Sequence, residues 1–183
     1  MKIFLSLAAY RDPFLPITVT SAYDNAMYKD SLVFAVVEHA YAKEFFDSHA
    51  FAFKKQIRHC QLDPIYANGV CAARHLAQTL YNNETYFFQI DSHTVFEPGW
   101  DEYLIAEFEK LNVNHPRPVI TGFPREFVIP DYKTVHSIER RNHNHFLALR
   151  LYEQQAFKDD YVILCTSLML PATLLNLCNW FLL

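Results

Sequence analysis

An aromatic and branched segment of this chain ends abruptly in a carboxylate and an imidazole. Residues 84–93 read ETYFFQIDSH, so a strand-forming run leads directly into Asp91 and His93. Such a run is typical of a strand in an open α/β sheet, which carries its ligand chemistry at the C-terminal ends of the strands. In extended backbone, residues two positions apart project from the same side. The sequence therefore predicts that Asp91 and His93 share one face at the edge of a sheet.

A carboxylate oxygen and an imidazole nitrogen on one face are suited to a divalent cation such as Mn²⁺. The structural alternative is that Asp91 caps the turn that follows the strand and that His93 packs against its neighbours. The residues alone leave both interpretations open.

The rest of the chain alternates predicted strands with predicted helices, which indicates an open α/β sheet. Strands are predicted at residues 1–10, 31–38, 85–90 and 118–123. Helices are predicted within 16–30 (containing Ala22, Ala26 and Met27), at 66–81 and at 101–111. The first apolar run could be mistaken for a secretory signal, but it continues into Arg11, Asp12 and Pro13 without a cleavage site, so a strand is the better interpretation.

Length and composition fit one domain and exclude several classes of function. The chain has 183 residues, half of them apolar, and a net charge of −4 without a basic stripe, which gives no support for nucleic-acid binding. Its three glycines cannot form a dinucleotide-binding or P-loop motif. Its four cysteines lack metal-site spacing and are expected to be reduced core thiols of an intracellular protein.

The order of motifs resembles the glycosyltransferases that move N-acetylglucosamine onto protein hydroxyls, the family that includes the cytoplasmic Skp1-modifying enzyme. The resemblance covers residues 2–123. It rests on the segments IFLSLAAYRDP, LVFAVVEH, NGVCAAR and YFFQIDSHTVF, followed by Trp100 and Asp101. The Asp-Ser-His sequence is also the form that the metal motif takes in polypeptide N-acetylgalactosaminyltransferases.

This resemblance implies a GT-A-like fold, an open and mostly parallel sheet flanked by helices. It also implies a UDP-GlcNAc donor, Mn²⁺ or another divalent cation, and transfer with retention of configuration to a protein serine, threonine or hydroxyproline in the cytoplasm. Asp91 and His93 would then bind the metal. Arg11, Asp12, Arg74 and Asp91 would bind the nucleotide, and no catalytic base is assigned.

Several of these residues also have structural interpretations. Arg74 could be an ordinary surface arginine, and Arg11 and Asp12 could form an ion pair or cap the next helix. Trp100 and Asp101 are expected to shape the site rather than to react, with Trp100 in the core or in a wall.

The last third of the chain departs from the family pattern. The acidic Gly-Glu-Glu segment expected beyond the metal strand is missing. His143 and His145 have a spacing compatible with a second metal site, although a polar loop is the simpler interpretation. His136 is a further candidate for a missing metal ligand.

Residues 161–183 contain no charged side chain. They are long enough for a membrane span but are interrupted by Pro171, Asn176 and Asn179. The alternatives are a core strand at 162–170 followed by a helix, or a tail that replaces the C-terminal half of the family. We therefore divide the chain into a nucleotide-sugar and metal-binding domain (1–160) and an apolar segment (161–183) of an incomplete domain.

Two other functions remain open. The chain could be a truncated or non-catalytic remnant that binds UDP weakly or not at all, as the missing acidic segment suggests. It could also be a metal-dependent hydrolase that uses Asp91, His93 and the pair His143 and His145.

Overall fold

The computed structural model describes residues 1–114 and 118–122, together with the backbone of three short strands farther along the chain. The helices are α1 (Leu15–Asp24), α2 (Val70–Thr79) and α3 (Trp100–Asn112). The strands are β1 (Ile3–Tyr10), β2 (Leu32–His39), β3 (Ile57–Leu62), β4 (Tyr86–Asp91), β5 (Ile120–Thr121), β6 (Phe127–Val128), β7 (Glu139–Arg140) and β8 (Leu168–Pro171).

Among these described elements, six strands form one sheet in the order β3-β2-β1-β4-β8-β5. The first four run parallel, and β8 joins β4 in the antiparallel sense. The two remaining strands, β6 and β7, pair with each other. The expected α/β class with a mostly parallel sheet is confirmed.

Helices cover both faces of the parallel part of the sheet, because its strands are apolar on both sides. On one face, the alternate residues Leu5 and Leu7 of β1 join a core that includes Leu15 of α1 and Phe108 of α3. On the other face, β2 packs through Val37 against small side chains of α2, Ala73 and Ala77. The central strands β1 and β2 are thus fixed between two layers, so their C-terminal ends are held rigidly.

The predicted elements are found with shifted ends. The first helix stops at Asp24, so Ala26 and Met27 lie beyond it, contrary to the expectation. The side-chain amide of Asn25 donates to the Ser21 carbonyl and helps to end the helix there. The predicted helix at 66–81 is α2, whose first residue, Val70, is exposed rather than part of an apolar face.

Strand β3 was not predicted. Its sequence, IRHCQL, shows neither clean alternation nor a continuous apolar run, and its side chains are mostly half-buried. It lies at one edge of the sheet, where a strand has a neighbour on one side only and needs less apolar surface.

Some sequence expectations concern cysteines and the C-terminal segment. Cys60 and Cys71 are free thiols, but Cys71 is exposed on α2, so it is not a core residue.

In the segment 161–183, the short strand β8 is described and the other residues lie outside the described part of the chain. No helix within the described residues is long and apolar enough to cross a membrane.

A buried carboxylate, Glu38, lies near the C-terminal end of β2. It is fully buried, and neither of its oxygens has a hydrogen-bond partner among the described residues. Nε2 of His59 on β3 lies 3.4 Å from Oε2 of Glu38, a polar contact longer than a good hydrogen bond. The ring of Phe46 packs edge-on against His59 and helps to close the pair off from solvent.

We expect His59→Phe to destabilise the chain by about 1–3 kcal/mol, because it removes the polar group nearest to the buried Glu38 carboxyl. The double variant Glu38→Leu/His59→Phe, which removes both polar groups, is expected to recover most of this loss. Urea unfolding of the two variants and the unaltered chain measures the difference. A single variant as stable as the unaltered chain would contradict this account.

Candidate functional site

The C-terminal ends of β1 and β4 form a crevice at the point where the strand order reverses. From β1 the chain first builds outward through β2 and β3, and then returns to place β4 on the other side of β1. Ala8 of β1 pairs with Asp91 of β4, so the segments that follow the two strands leave the sheet side by side. Open α/β sheets bind their ligands at such a switch point.

Asp12 connects the two segments that border this crevice. Its Oδ1 accepts a hydrogen bond from the Phe14 backbone N–H at 2.9 Å, which fixes the turn into α1. Its Oδ2 accepts from the Ser92 hydroxyl at 2.5 Å and lies 3.1 Å from Nδ1 of His93. Neither structural alternative for Asp12 is found: the N-cap of α1 is Phe14, which has no side-chain cap bond, and Arg11 pairs with Glu44.

The segment after β4 is also held by α1. The Thr18 hydroxyl donates to the Ser92 carbonyl at 2.7 Å and accepts from the Thr94 N–H at 2.9 Å. The Ser21 hydroxyl accepts from the Phe96 N–H at 2.9 Å. Sequence reasoning missed both helix residues. They could have been noticed as two hydroxyl residues, three positions apart, that lie on the buried face of the predicted helix.

Asp91 takes a different partner from His93. Nη2 of Arg74, on α2, donates to Oδ1 of Asp91 at 2.9 Å, and the Arg74 side chain is only 15% exposed. Arg74 is therefore not an ordinary surface arginine. Strand β4 ends at Asp91, so the expectation that an extended strand carries both side chains on one face does not hold through His93. The turn after the strand brings His93 to Asp12 instead.

The contact between Asp12 and His93 has the character of an ion pair. The hydrogen bond with Asp12 raises the pKa of His93 above its ordinary value, against the opposing effect of burial, and the charge of Asp91 adds to the increase. Burial alone would raise the pKa of Asp12, but the hydrogen bonds with His93 and Ser92 outweigh it and hold that pKa below its ordinary value.

Arg11 lies outside this cluster. Its residue has a left-handed backbone (φ 45°), and its guanidinium binds Glu44 through Nη2 at 2.6 Å and Nε at 3.2 Å. The same guanidinium lies over the ring of Tyr41, 5.4 Å from its centre. Arg11 is thus held to the segment that follows β2, and neither Glu44 nor Tyr41 was identified from the sequence.

A cavity of about 270 Å³ adjoins this contact at the same edge of the sheet. It lies beyond the ends of β2 and β3 and is lined by Ala40, Tyr41, Ala42, Gln61, Leu62 and Asp63. Tyr41 lines this cavity, and the Arg11 guanidinium lies over its ring.

Trp100 and Asp101 stabilise the fold away from the crevice. The Trp100 indole packs on Phe88 and donates its N–H to the Ala22 carbonyl at 2.9 Å. The fully buried Asp101 carboxylate accepts from the backbone N–H groups of Met27 and Tyr28, both at 2.8 Å. Trp100 is buried in the core, one of the two positions expected for it. The expectation that Trp100 and Asp101 shape the site is not met, because their hydrogen-bond partners lie at and after the C-terminal end of α1.

The residues at the crevice provide a partial set of metal donors. Within the part of the chain that the structure describes, Oδ2 of Asp91 and Nε2 of His93 have no protein partner. Among the same residues, no group of three or more histidine, cysteine, aspartate or glutamate side chains is placed to hold a metal ion. These two donors fit a cation that takes its other ligands from the phosphates of a substrate. The candidates His136, His143 and His145 lie outside the described residues.

Comparison with known proteins extends these observations. The family model described as Glycosyltransferase (GlcNAc) matches residues 37–175, more than half of the chain. The crystal structure of S. aureus TarS residues 1–349 in complex with UDP-GlcNAc is similar with a TM-score of 0.51 and 14% identity, over 65% of this chain and 33% of that one. A second structure of TarS 1–349 gives a TM-score of 0.49 at 14% identity, over 65% and 34%. Comparison with curated proteins finds no match.

The first TarS structure is similar in fold, so the GT-A-like architecture expected from the sequence is confirmed. The chain spans about a third of the length of these TarS chains. The similarity to TarS is therefore a similarity of fold, in the sheet and the helices that cover it.

We expect the imidazole of His93 to titrate with a midpoint above 6.5 in the metal-free chain, because Asp12 stabilises its charged form. The protonated His93 ring stabilises the folded chain. This contribution to the free energy of unfolding is complete below the pKa that His93 has in the unfolded chain, and it is lost as the pH rises through the higher pKa of the folded chain. Asp12→Ala is expected to lower the midpoint. Proton NMR of the imidazole signals measures it, and an unchanged midpoint in the variant would contradict the ion-pair assignment.

Proposed function

This chain belongs to the glycosyltransferase (GlcNAc) family, and we propose that it binds UDP-GlcNAc and a divalent cation for transfer of the sugar to a protein hydroxyl. The observation that carries the proposal is the grouping of Asp12, Arg74, Asp91 and His93 where the strand order reverses between β1 and β4. In a chain of this family, that crevice is the natural place for a nucleotide-sugar.

The diphosphate requires positive charge and hydrogen-bond donors. Arg74 provides a planar guanidinium that, among the described residues, binds Asp91 through one nitrogen, so its other N–H groups are proposed to bind phosphate oxygens. Arg11 supplies a second guanidinium at the same edge of the sheet, on condition that it exchanges Glu44 for the ligand. The adjoining cavity offers room beside Tyr41 for the nucleoside.

Asp91 and His93 are the proposed metal ligands, through the carboxylate and imidazole atoms that have no partner in the described part of the chain. Mn²⁺ suits this mixed oxygen and nitrogen set. A bound cation supplies Lewis-acid stabilisation of the negative charge that grows on the diphosphate as the glycosidic bond breaks. The protein's own part is to fix the two ligands separately: Arg74 holds the Asp91 carboxylate, Asp12 holds the His93 ring, and Thr18 holds the backbone of Ser92 between them.

The acceptor is proposed to be a serine, threonine or hydroxyproline hydroxyl of a cytoplasmic protein, modified with retention of configuration, as in the Skp1-modifying type. This part rests on the sequence resemblance alone. The acceptor surface would have to include residues beyond the described part.

The second candidate function is a non-catalytic remnant that binds UDP weakly or not at all. One observation favours it: among the described residues, no group of three or more metal-ligating side chains lies together. Turnover of UDP-GlcNAc with a protein acceptor separates this candidate from the enzyme.

Calorimetric titration with UDP tests the donor site. We expect binding that requires Mn²⁺ and is lost in Asp91→Ala, because the variant removes a metal ligand and the partner of Arg74. Asp30→Ala is the matched control: Asp30 is exposed and lies just before the N-terminal end of β2, at the opposite edge of the sheet. Binding by the Asp91 variant equal to that of the control would exclude the assigned site.

Arg74→Lys separates the geometry of the guanidinium from its charge. The lysine keeps the positive charge but loses the planar, two-point donation, so we expect UDP to bind at least ~10-fold more weakly, or about 1.4 kcal/mol. The same calorimetry measures the effect at constant Mn²⁺ concentration. An affinity equal to that of the unaltered chain would show that Arg74 only orients Asp91.

A further inference from the structure

Asp12 uses its acceptor positions within the protein. Its two oxygens accept from a backbone N–H, a hydroxyl and an imidazole, and its side chain is only 14% exposed. A carboxylate in this position has little capacity left for the ribose or the phosphates of a nucleotide. The nucleotide-binding role expected from the sequence therefore needs revision.

The bond to Asp12 determines which nitrogen of His93 carries a proton. An ionised carboxylate can only accept, and Oδ2 of Asp12 already accepts from the Ser92 hydroxyl. Nδ1 of His93, at 3.1 Å from that oxygen, must then be the donor. In the neutral ring, the remaining lone pair lies on Nε2. His93 is 61% exposed, and Nε2 has no partner within the described residues.

We propose that Asp12 is a positioning residue, which fixes His93 as the Nδ1–H tautomer and directs the lone pair of Nε2 toward a divalent cation. The proposal rests on the metal-binding function inferred above and replaces the nucleotide-binding role of Asp12. Carboxylates that orient metal-binding histidines in this way typically change metal affinity 10- to 100-fold.

The surrounding bonds explain why this position is rigid. Phe14 N–H holds Asp12 from the side of α1, and Thr18 holds the backbone of Ser92 from the same helix. Both ends of the Asp12–His93 contact are thus anchored to α1. The competing explanation is a purely structural role, in which Asp12 joins the segments that follow β1 and β4 without acting on His93.

Two variants separate these explanations. Asp12→Ala removes the acceptor of the His93 proton. Ser92→Ala removes the other donor to the same oxygen and loosens the same junction, but leaves the Asp12–His93 contact. A structural role predicts similar effects of the two variants, whereas a positioning role predicts that only Asp12→Ala acts on the imidazole.

The first readout is the tautomer of His93 in the metal-free chain, from long-range ¹H–¹⁵N spectra at a pH at which the ring is neutral. The spectrum of His93→Gln identifies its signals among the nine histidines. We expect the Nδ1–H form in the unaltered chain and in Ser92→Ala, and a shift toward the Nε2–H form in Asp12→Ala. Unchanged signals of the other histidines verify that the variants are folded. A predominant Nε2–H form in the unaltered chain would overturn the proposal.

The second readout is the affinity for Mn²⁺ in the presence of UDP. We expect it to fall 10- to 100-fold in Asp12→Ala and by less than ~3-fold in Ser92→Ala. Equal losses in both variants, or no loss in Asp12→Ala, overturn the positioning role while the proposed function stands. If the unaltered chain binds no Mn²⁺ with UDP, the metal-binding function itself fails, and the role of Asp12 toward the metal fails with it.

Discussion

The parallel pairing of β1 with β4 is the constraint on which the candidate site depends. The pairing aligns Ala8 with Asp91, so the segments after the two strands begin at the same level of the sheet. The strands are held in this register by apolar side chains packed on both faces, including Phe4 against Phe87. A slip of the register by one residue would turn every side chain of β4 to the opposite face and would separate Asp91 from Arg74.

Much of the fold could be predicted from the sequence because the central strands have a strong pattern. β1, β2 and β4 are predominantly apolar, and α2 and α3 repeat small or apolar residues at helical spacing. β3 was missed because an edge strand with mixed residues has no such pattern. The ends of α1 depended on Asn25 and on the distant Asp101, which binds the backbone after the helix.

The sequence named candidate residues for the site but not the contacts that those residues make. The Asp-Ser-His sequence pointed to Asp91 and His93, and the resemblance added Arg11, Asp12 and Arg74. Their partners follow from long-range geometry. The contact of Asp12 with His93 joins residues 81 positions apart, and the contact of Arg11 with Glu44 joins residues 33 apart. No local pattern in the sequence encodes either distance. The proposed role of these residues, the binding of UDP-GlcNAc and a divalent cation, comes from the family and the fold rather than from any single contact.

Paramagnetic broadening by Mn²⁺ in the presence of UDP tests most directly whether the β1–β4 crevice is the donor site. Backbone amide signals in a ¹H–¹⁵N spectrum are recorded before and after trace Mn²⁺ is added to the UDP-saturated chain. The account predicts selective loss of the amide signals of residues 11, 12, 14 and 91–94, while those at the N-terminal ends of the strands persist. Broadening centred anywhere else, or none at all, would contradict it.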